Sequence, residues 1–472
     1  MTAAAENFWW AHHFHQGGPF QTDEAGELAL TSTFTAAFQH QGLGGLWRAF
    51  AAPSTRAPLL ALLGVPFNLL FGRRPAAALD ELLILFVVLV VATYAVARRL
   101  VGPRLAVLAA ALVGLIPDVT NWTRAYYTPL ATTTFFAVGL ACLLATDGLR
   151  RRPWAVAAGA AFGLSLLARV MALGLVPCAF VGAALMVVAG GRDGALRRLV
   201  TLVMTAVTTV AVAALWYARN LQMALSYLEV TRTHEPQRKL DGLERAFNLP
   251  LTFALLLTLT AGAAVAAPQV RARFETRHLT PRTRDVTVLV VIALAATAVF
   301  LAKANYANGE WLPVAILVML IAVALWANIG PSLLRTGLAA LLIAATAVNV
   351  LGSADLVAAV GRHRRLQVGS WNMSITDGRS FVQTRIDASG VPPGDPGYPR
   401  GNWRAWDPFN EHVAALVAQH AMAAGFVPTV FFVGSTGDLI FSPWSLSLAD
   451  ADRVHSGMFT GSLRPTDQVH PL

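Results

Sequence analysis

Charge is scarce in this chain. Of its 472 residues, 13% are Asp, Glu, Lys or Arg, while 56% are hydrophobic and the mean hydropathy is +0.55. That balance excludes an ordinary soluble globular protein and places the chain among polytopic membrane proteins. Cysteine is nearly missing: Cys142 and Cys178 both fall inside apolar runs. They read as small core hydrophobes, which excludes a disulfide framework or a cysteine metal site. Acidic residues are outnumbered 26 to 36 by Lys and Arg, for a net charge of +10. The excess sits as Arg in short loops between apolar runs, where it reports membrane orientation, so nucleic acid is excluded as a partner. Met1 to Phe20 has neither a basic start nor an apolar run of signal length, so no cleavable signal opens the chain. No repeat of 20 to 50 residues and no two-fold echo of hydropathy is present, which argues against the paired-repeat transporter folds.

What the chain does have is long apolar runs. They lie near 77–97, 104–117, 128–147, 154–168, 169–190, 199–217, 249–268, 286–302, 311–328 and 334–351. The pattern predicts an all-α polytopic membrane protein of about ten transmembrane helices. Runs 104–117 and 154–168 fall short of the ~20 residues a perpendicular crossing needs, which predicts broken or partial crossings. Ahead of the runs, Gly26 to Phe50 has apolar residues at roughly helical spacing, and Ala57 to Phe71 is short and carries Pro66. Both read as interfacial helices. Arg98, Arg99 and Arg104, Arg150 to Arg152, Arg192, Arg197 and Arg198, and Arg271 to Arg284 occupy alternate loops. The positive-inside rule puts those loops in the cytoplasm and the others outside.

Three regions follow: an extracytoplasmic first loop with interfacial helices (1–72), a multi-span domain (73–352) and an extracytoplasmic α/β domain (353–472). In the last, Asp407 as N-cap, Pro408 and Gly425 delimit a helix, and Val427 to Gly434 reads as a strand.

Several residues stand out chemically. Asp23-Glu24 is an acidic pair in a polar segment on the outer side, fit to deprotonate an acceptor hydroxyl, to coordinate a divalent ion, or simply to sit in a solvated loop. Arg169 lies between two apolar runs, where a charge either faces a polar cavity or snorkels to the interface. Asp80 and Glu81 open a span from its outer end and read first as interface markers, with an addition to an acidic site as the alternative, and Tyr126, Tyr127, Trp216 and Trp311 read as an aromatic belt. His12, His13 and His15 have metal-ligating side chains without fixed spacing. Gly159-x-x-x-Gly163 predicts a close helix contact.

The order of these phrases resembles the GT-C superfamily of polytopic glycosyltransferases. The branch is that of protein O-mannosyltransferases and aminoarabinose transferases, which use polyprenyl-phosphate sugars. The likeness rests on Asp23-Glu24 in the first outer loop, Ala57 to Gly72, Leu100-Val101-Gly102-Pro103-Arg104 and Pro117 to Leu130. It continues in Gly159 to Pro177, Trp216 to Asn220, and Lys303-Ala304-Asn305-Tyr306 with Pro313.

The resemblance implies a transferase, hexosyl or pentosyl, that moves a sugar from a polyprenyl-phosphate carrier in the bilayer to a glycan, lipid or protein acceptor outside. Asp23 would be the general base and Glu24 its partner or a metal ligand. Arg124, Arg169 and Lys303 would bind the donor phosphate, with Arg219 a weaker candidate, and the anomeric configuration would invert. Glu24 and His15 would be the ligands of a divalent ion if one is used.

Two departures stand beside the likeness. No apolar helix precedes Asp23, where the family has its first transmembrane helix, so a further upstream helix is expected; and Asn305 stands where relatives often have Arg. The competing readings are a transporter or flippase of a lipid-linked or polar solute, and an inactive relative.

Overall fold

The computed structural model describes residues 22–72, 75–189, 194–233, 246–275, 280–302 and 309–353, with 4–5, 7–8, 419 and four short strands. By contacts the chain divides into two units. The first holds Met1–Phe8, Ala51–Leu60 and Leu82–Ser380, and the second Trp9–Phe50, Ala61–Glu81 and Phe381–Leu472.

In chain order the helices are α1 (Thr22–Ala51), α2 (Leu59–Phe71), α3 (Pro75–Val101), α4 (Pro103–Gly114), α5 (Pro117–Thr123), α6 (Pro129–Ala145), α7 (Arg152–Ala168), α8 (Ala172–Ala189), α9 (Ala195–Thr233), α10 (Leu249–Glu275), α11 (Pro281–Ala302), α12 (Leu312–Trp326) and α13 (Leu333–Ser353). Every one of the ten apolar runs coincides with a helix. Proline sits in the first two positions of α4, α5, α6, α7 and α12, where its missing N–H is not needed and its fixed φ suits the helix. Tight junctions result: between α3 and α4 the chain turns on Gly102 alone, at φ 82.

The chain is an integral multi-pass membrane protein, but its helices are less uniform than ten crossings. Four are long and apolar enough to span a bilayer, in Ala77–Val101, Ala195–Glu229, Leu249–Pro268 and Pro281–Ala302. A fifth results if α4 and α5, bent by 63° at their junction, count as one broken span. Helices α6, α7, α8 and α12 have 17, 17, 18 and 15 residues. At ~1.5 Å per residue they reach roughly 23 to 27 Å, short of a ~30 Å hydrocarbon core. The shortness expected at 154–168 is thus common to the packed interior.

Small residues let these helices approach. A Cβ on Gly159 would lie 2.4 Å from the Thr205 carbonyl oxygen, and one on Gly163 would lie 2.6 Å from Val212 Cβ, so the predicted close contact is α7 against α9. Gly139 of α6 takes the Phe162 ring of α7, Gly182 of α8 takes Ile292 of α11, and Gly262 of α10 takes Leu325 of α12. Close packing of this kind holds helices together where lipid removes the hydrophobic incentive. Several threonine hydroxyls buried in the bundle are satisfied on their own helix, as when Thr205 and Thr209 donate to the carbonyls of Thr201 and Thr205, while Thr134 donates across to the Leu85 carbonyl.

One end of the first unit is tied by charge. Arg99 Nε–H donates to Asp285 Oδ2 at 3.0 Å, and Arg284 reaches Asp285 at 3.0 Å and Asp147 at 3.4 Å. Arg197 donates to the Arg150 carbonyl at 3.4 Å. The ends of α3 and α6 and the starts of α9 and α11 therefore gather at one face, the set of loops that the Arg distribution puts in the cytoplasm. The opposite ends, after α7 and α11 and before α6 and α12, form the end that the positive-inside rule would place outside.

In the second unit, α1 kinks at Gly42, at φ 59 and ψ −151, so two helical pieces cover Gly26 to Phe50, where one or two helices are expected. Asn68 Nδ2–H donates to Thr35 Oγ1 at 3.2 Å, linking α2 to α1 within that unit. Strands β1 (Arg365–Val368) and β2 (Trp371–Ser374) pair antiparallel, and β3 (Thr429–Val433) pairs in parallel with β4 (His455–Phe459). The strand expected at 427–434 is β3. The helix expected at 407–425 lies outside the described residues, apart from Gln419, which is helical.

Candidate active site

At the outer end of the first unit, α7 stops at Ala168 and α8 starts at Ala172, and Arg169 spans the break in an extended conformation at φ −160 and ψ 133. Irregular backbone at membrane depth is tolerated where protein buries it or where it lines a cavity. Arg169 is 7% exposed, and its guanidinium carbon lies 5.1 Å from the centre of the Tyr127 ring. The charge therefore faces inward, and it lines a recess with a non-atom volume of about 270 Å³, open mouth included.

The other walls come from four further elements. Pro129, Thr132 and Thr133 belong to the first turns of α6; Ala172 and Leu175 to α8; Phe300 to the end of α11; and Glu310 and Pro313 to the entry into α12. Thr132 and Thr133 donate their hydroxyl protons to the carbonyls of Thr128 and Pro129, leaving oxygen lone pairs as acceptors.

Glu310 is placed by its neighbour. Gly309 has φ +76, and a Cβ there would meet Pro129 at 2.6 Å and the Trp122 ring at 2.7 Å. The turn thus lies flat against the start of α6, and Glu310, 4% exposed, is delivered into the recess. Trp311 packs edge-on against Phe300 at 5.7 Å, closing the wall behind it. Arg169, Glu310, Thr132 and Thr133 thus line one small, largely apolar recess.

The other expected site residues fall elsewhere. Arg124 caps α5 at 1% exposure and donates from Nε to Asn7 Oδ1 at 2.9 Å, so it is a buried cation beside the recess-forming segment and does not line the recess. Asp23 and Glu24 lie in the first turn of α1 in the second unit; Glu24 is 1% exposed, which corrects the picture of an acidic pair in a polar loop. The helix starts four residues earlier than apolar periodicity suggests, because Asp and Glu favour a helix N-terminus. The side chain of Asp23, and Lys303 and His15 altogether, lie outside the described residues. Arg219 is exposed.

Two bland assignments change. Glu81 is 2% exposed, and Trp216, Tyr126 and Trp311 are at most 3% exposed, so these residues are packed in protein instead of marking the interface. Tyr127, half-buried, carries Arg169. Among the described residues, no group of three or more His, Cys, Asp or Glu side chains is arranged to hold a metal ion.

Sequence reasoning overlooked Glu310 and the buried Asp118 of α5. The signal for Glu310 was available: like Arg169, it is a charge set against the outer end of an apolar run.

The fold is similar to that of solved structures of ArnT and of an archaeal oligosaccharyltransferase. Two solved structures of ArnT from Cupriavidus metallidurans align over 95% of this chain and 75% of theirs. The apo form has TM-score 0.50 at 16% identity, and the form bound to undecaprenyl phosphate has TM-score 0.52 at 15%. An Archaeoglobus fulgidus oligosaccharyltransferase tethered to an acceptor peptide containing the NVT sequon aligns over 96% of this chain and 63% of its own, with TM-score 0.54 at 12% identity. At these identities the likeness is one of fold. No family model and no curated protein matches the sequence.

Proposed function

We propose that the chain is a membrane glycosyltransferase that moves a sugar from a polyprenyl-phosphate carrier to an acceptor on the extracytoplasmic face. The observation that carries this reading is the buried Arg169 in a recess at the outer end of the bundle. The fold supports it, and so does the undecaprenyl phosphate bound by one ArnT structure of the same fold. In this reading the ten apolar helices lie in the membrane, and the first loop and the carboxy-terminal region lie outside.

Asp23 takes the proton of an acceptor hydroxyl, whose oxygen attacks the anomeric carbon. The bond from that carbon to the phosphate oxygen breaks, and its electron pair leaves with polyprenyl phosphate. Direct displacement of this kind inverts the configuration. Arg169 stabilises the charge that develops on the leaving phosphate, with Lys303 and Arg124 as further cations of the same outer end. Glu24 assists Asp23 or, with His15, would bind a divalent ion. The acceptor is a glycan, lipid or protein.

The test is transfer in membranes from radiolabelled polyprenyl-phosphate sugars, comparing wild type with Asp23→Asn and Arg169→Ala at matched expression. Loss of transfer by at least about a hundredfold in Asp23→Asn is expected. Full activity in that variant would remove Asp23 as the base, and absence of transfer by wild type from every polyprenyl-phosphate sugar supplied would remove the reaction.

A further inference from the structure

We infer that Tyr127 is a positioning residue of the recess: its ring keeps the Arg169 guanidinium turned inward, with N–H groups left for the lipid phosphate. The inference rests on the donor assigned above.

A long cationic side chain just past a helix end ordinarily snorkels to the nearest water. Arg169 does not. It is buried and lines the recess, so its lost hydration has to be offset within the protein. The guanidinium carbon stands 5.1 Å over the Tyr127 ring. The face of that ring is electron-rich, and a guanidinium, more weakly hydrated than an ammonium, is the cation such a face retains best.

The ring is itself held in place. Tyr127 N–H donates to the Ala125 carbonyl at 2.7 Å in a tight turn, and the ring packs against that of Trp122, 5.7 Å away between centres. Trp122 is buried, so Tyr127 rests on the packed interior of the first unit.

Attraction to a ring face is to the cation as a whole and does not require any one of its five N–H groups. A phosphate can therefore still take two of them side by side. Tyr127 thus holds the cation without competing for the hydrogen bonds the ligand needs. Glu310 lines the same recess and stays unchanged in every comparison below, so those comparisons isolate the ring. Without the ring face, Arg169 relaxes toward water and the recess loses its cation.

The experiment first reads the hold on Arg169 with no lipid phosphate present. The purified full chain in nanodiscs is treated with phenylglyoxal, which modifies accessible guanidinium groups, and the rate at Arg169 is read by peptide mass spectrometry. Arg124, buried, and Arg219, exposed, are the internal references. In wild type Arg169 reacts slowly, as Arg124 does. Tyr127→Phe, which keeps the ring, follows wild type. Tyr127→Leu raises the rate at Arg169 at least about fivefold and leaves Arg124 unchanged, and so does pentafluorophenylalanine in place of Tyr127, which keeps the ring shape but makes its face electron-poor. Undecaprenyl phosphate binding to the same preparations weakens about fivefold in those two and stays within about twofold of wild type in Tyr127→Phe.

A wild-type Arg169 as reactive as Arg219 overturns the inference without any variant. So does Tyr127→Phe behaving like Tyr127→Leu, a pentafluoro ring that follows Tyr127→Phe, a rise at Arg124 that matches the rise at Arg169, or unchanged lipid binding beside a faster Arg169. The pentafluoro protein decides the question if Tyr127→Leu does not fold. A wild type that does not bind undecaprenyl phosphate overturns the donor reading and the ligand named here, while the modification pattern, read without lipid, still decides whether the ring holds Arg169.

Discussion

Replacing Gly159 by Ala tests whether the α7–α9 seam sets the position of the recess. The added Cβ would sit 2.4 Å from the Thr205 carbonyl oxygen and 2.7 Å from Thr208 Cβ. Ordinary contacts are about 1 Å longer, so α7 must move away by a distance of that order or both helices must bend. Alanine favours a helix over glycine by ~1 kcal/mol, while overpacking of a close interface costs typically 1 to 3 kcal/mol. The steric effect wins, leaving a net loss on the order of 1 kcal/mol. Gly159→Ala combined with Gly163→Ala loses more than either alone, because Gly163 meets Val212 Cβ at 2.6 Å on the same seam.

Thermal unfolding of the detergent-solubilised protein, followed by loss of the monodisperse species at one fixed scan rate, reads this as a Tm lowered by a few degrees. The partner substitution Thr208→Gly restores only part of the loss, since the closer contact is to backbone and no side-chain change removes it. A higher Tm for Gly159→Ala would show that propensity dominates and that the helices are farther apart than described. Complete rescue by Thr208→Gly would show that the carbonyl contact is not there. Arg169 lies six residues beyond Gly163, directly after the same helix ends, so the shift also reaches the recess wall.

Two further expectations concern the opposite end and the turn. Asp285→Ala removes the carboxylate, with a side chain 2% exposed, that Arg99 and Arg284 share, and is expected to lower stability by ~1 to 3 kcal/mol. Asp147→Asn, at a side chain 39% exposed, changes it by less than ~1 kcal/mol, and equal effects of the two in the same thermal assay would refute the assignment of Asp285 as the buried hub. Gly309→Ala strains a backbone at φ +76 and drives a Cβ into Pro129, so undecaprenyl phosphate binding should weaken severalfold through displacement of the recess wall. Unchanged binding would show that the turn tolerates the side chain and does not set the recess.

Much of the architecture was legible without coordinates. Each apolar run proved to be a helix, because about twenty residues of one polarity and a proline at the start are local signals. The Gly159–Gly163 spacing announced a close contact, though not its partner. Arg169 was recognisable as a charge out of place between apolar runs, and the reason it is tolerated, a recess at a helix break, needed the fold. Other readings failed where local character and tertiary burial part company. Trp216, Tyr126 and Trp311 have the composition of an interfacial belt yet are buried among helices, and Glu81 is buried as well. Asp23-Glu24 looked like a loop pair because no apolar periodicity begins before Gly26, whereas the helix itself begins at Thr22.

By itself, then, the sequence determined that this is a membrane protein, where its helices lie, and which loops share a side. Those are sums over neighbouring residues, and hydropathy, capping and loop charge are fully expressed in such sums. Tertiary structure alone decided that Thr132, Arg169 and Glu310 line one recess while Arg124 turns to Asn7. That outcome depends on how each helix is rotated about its own axis and where α7 breaks, and the rotation is set by packing between residues far apart in the chain.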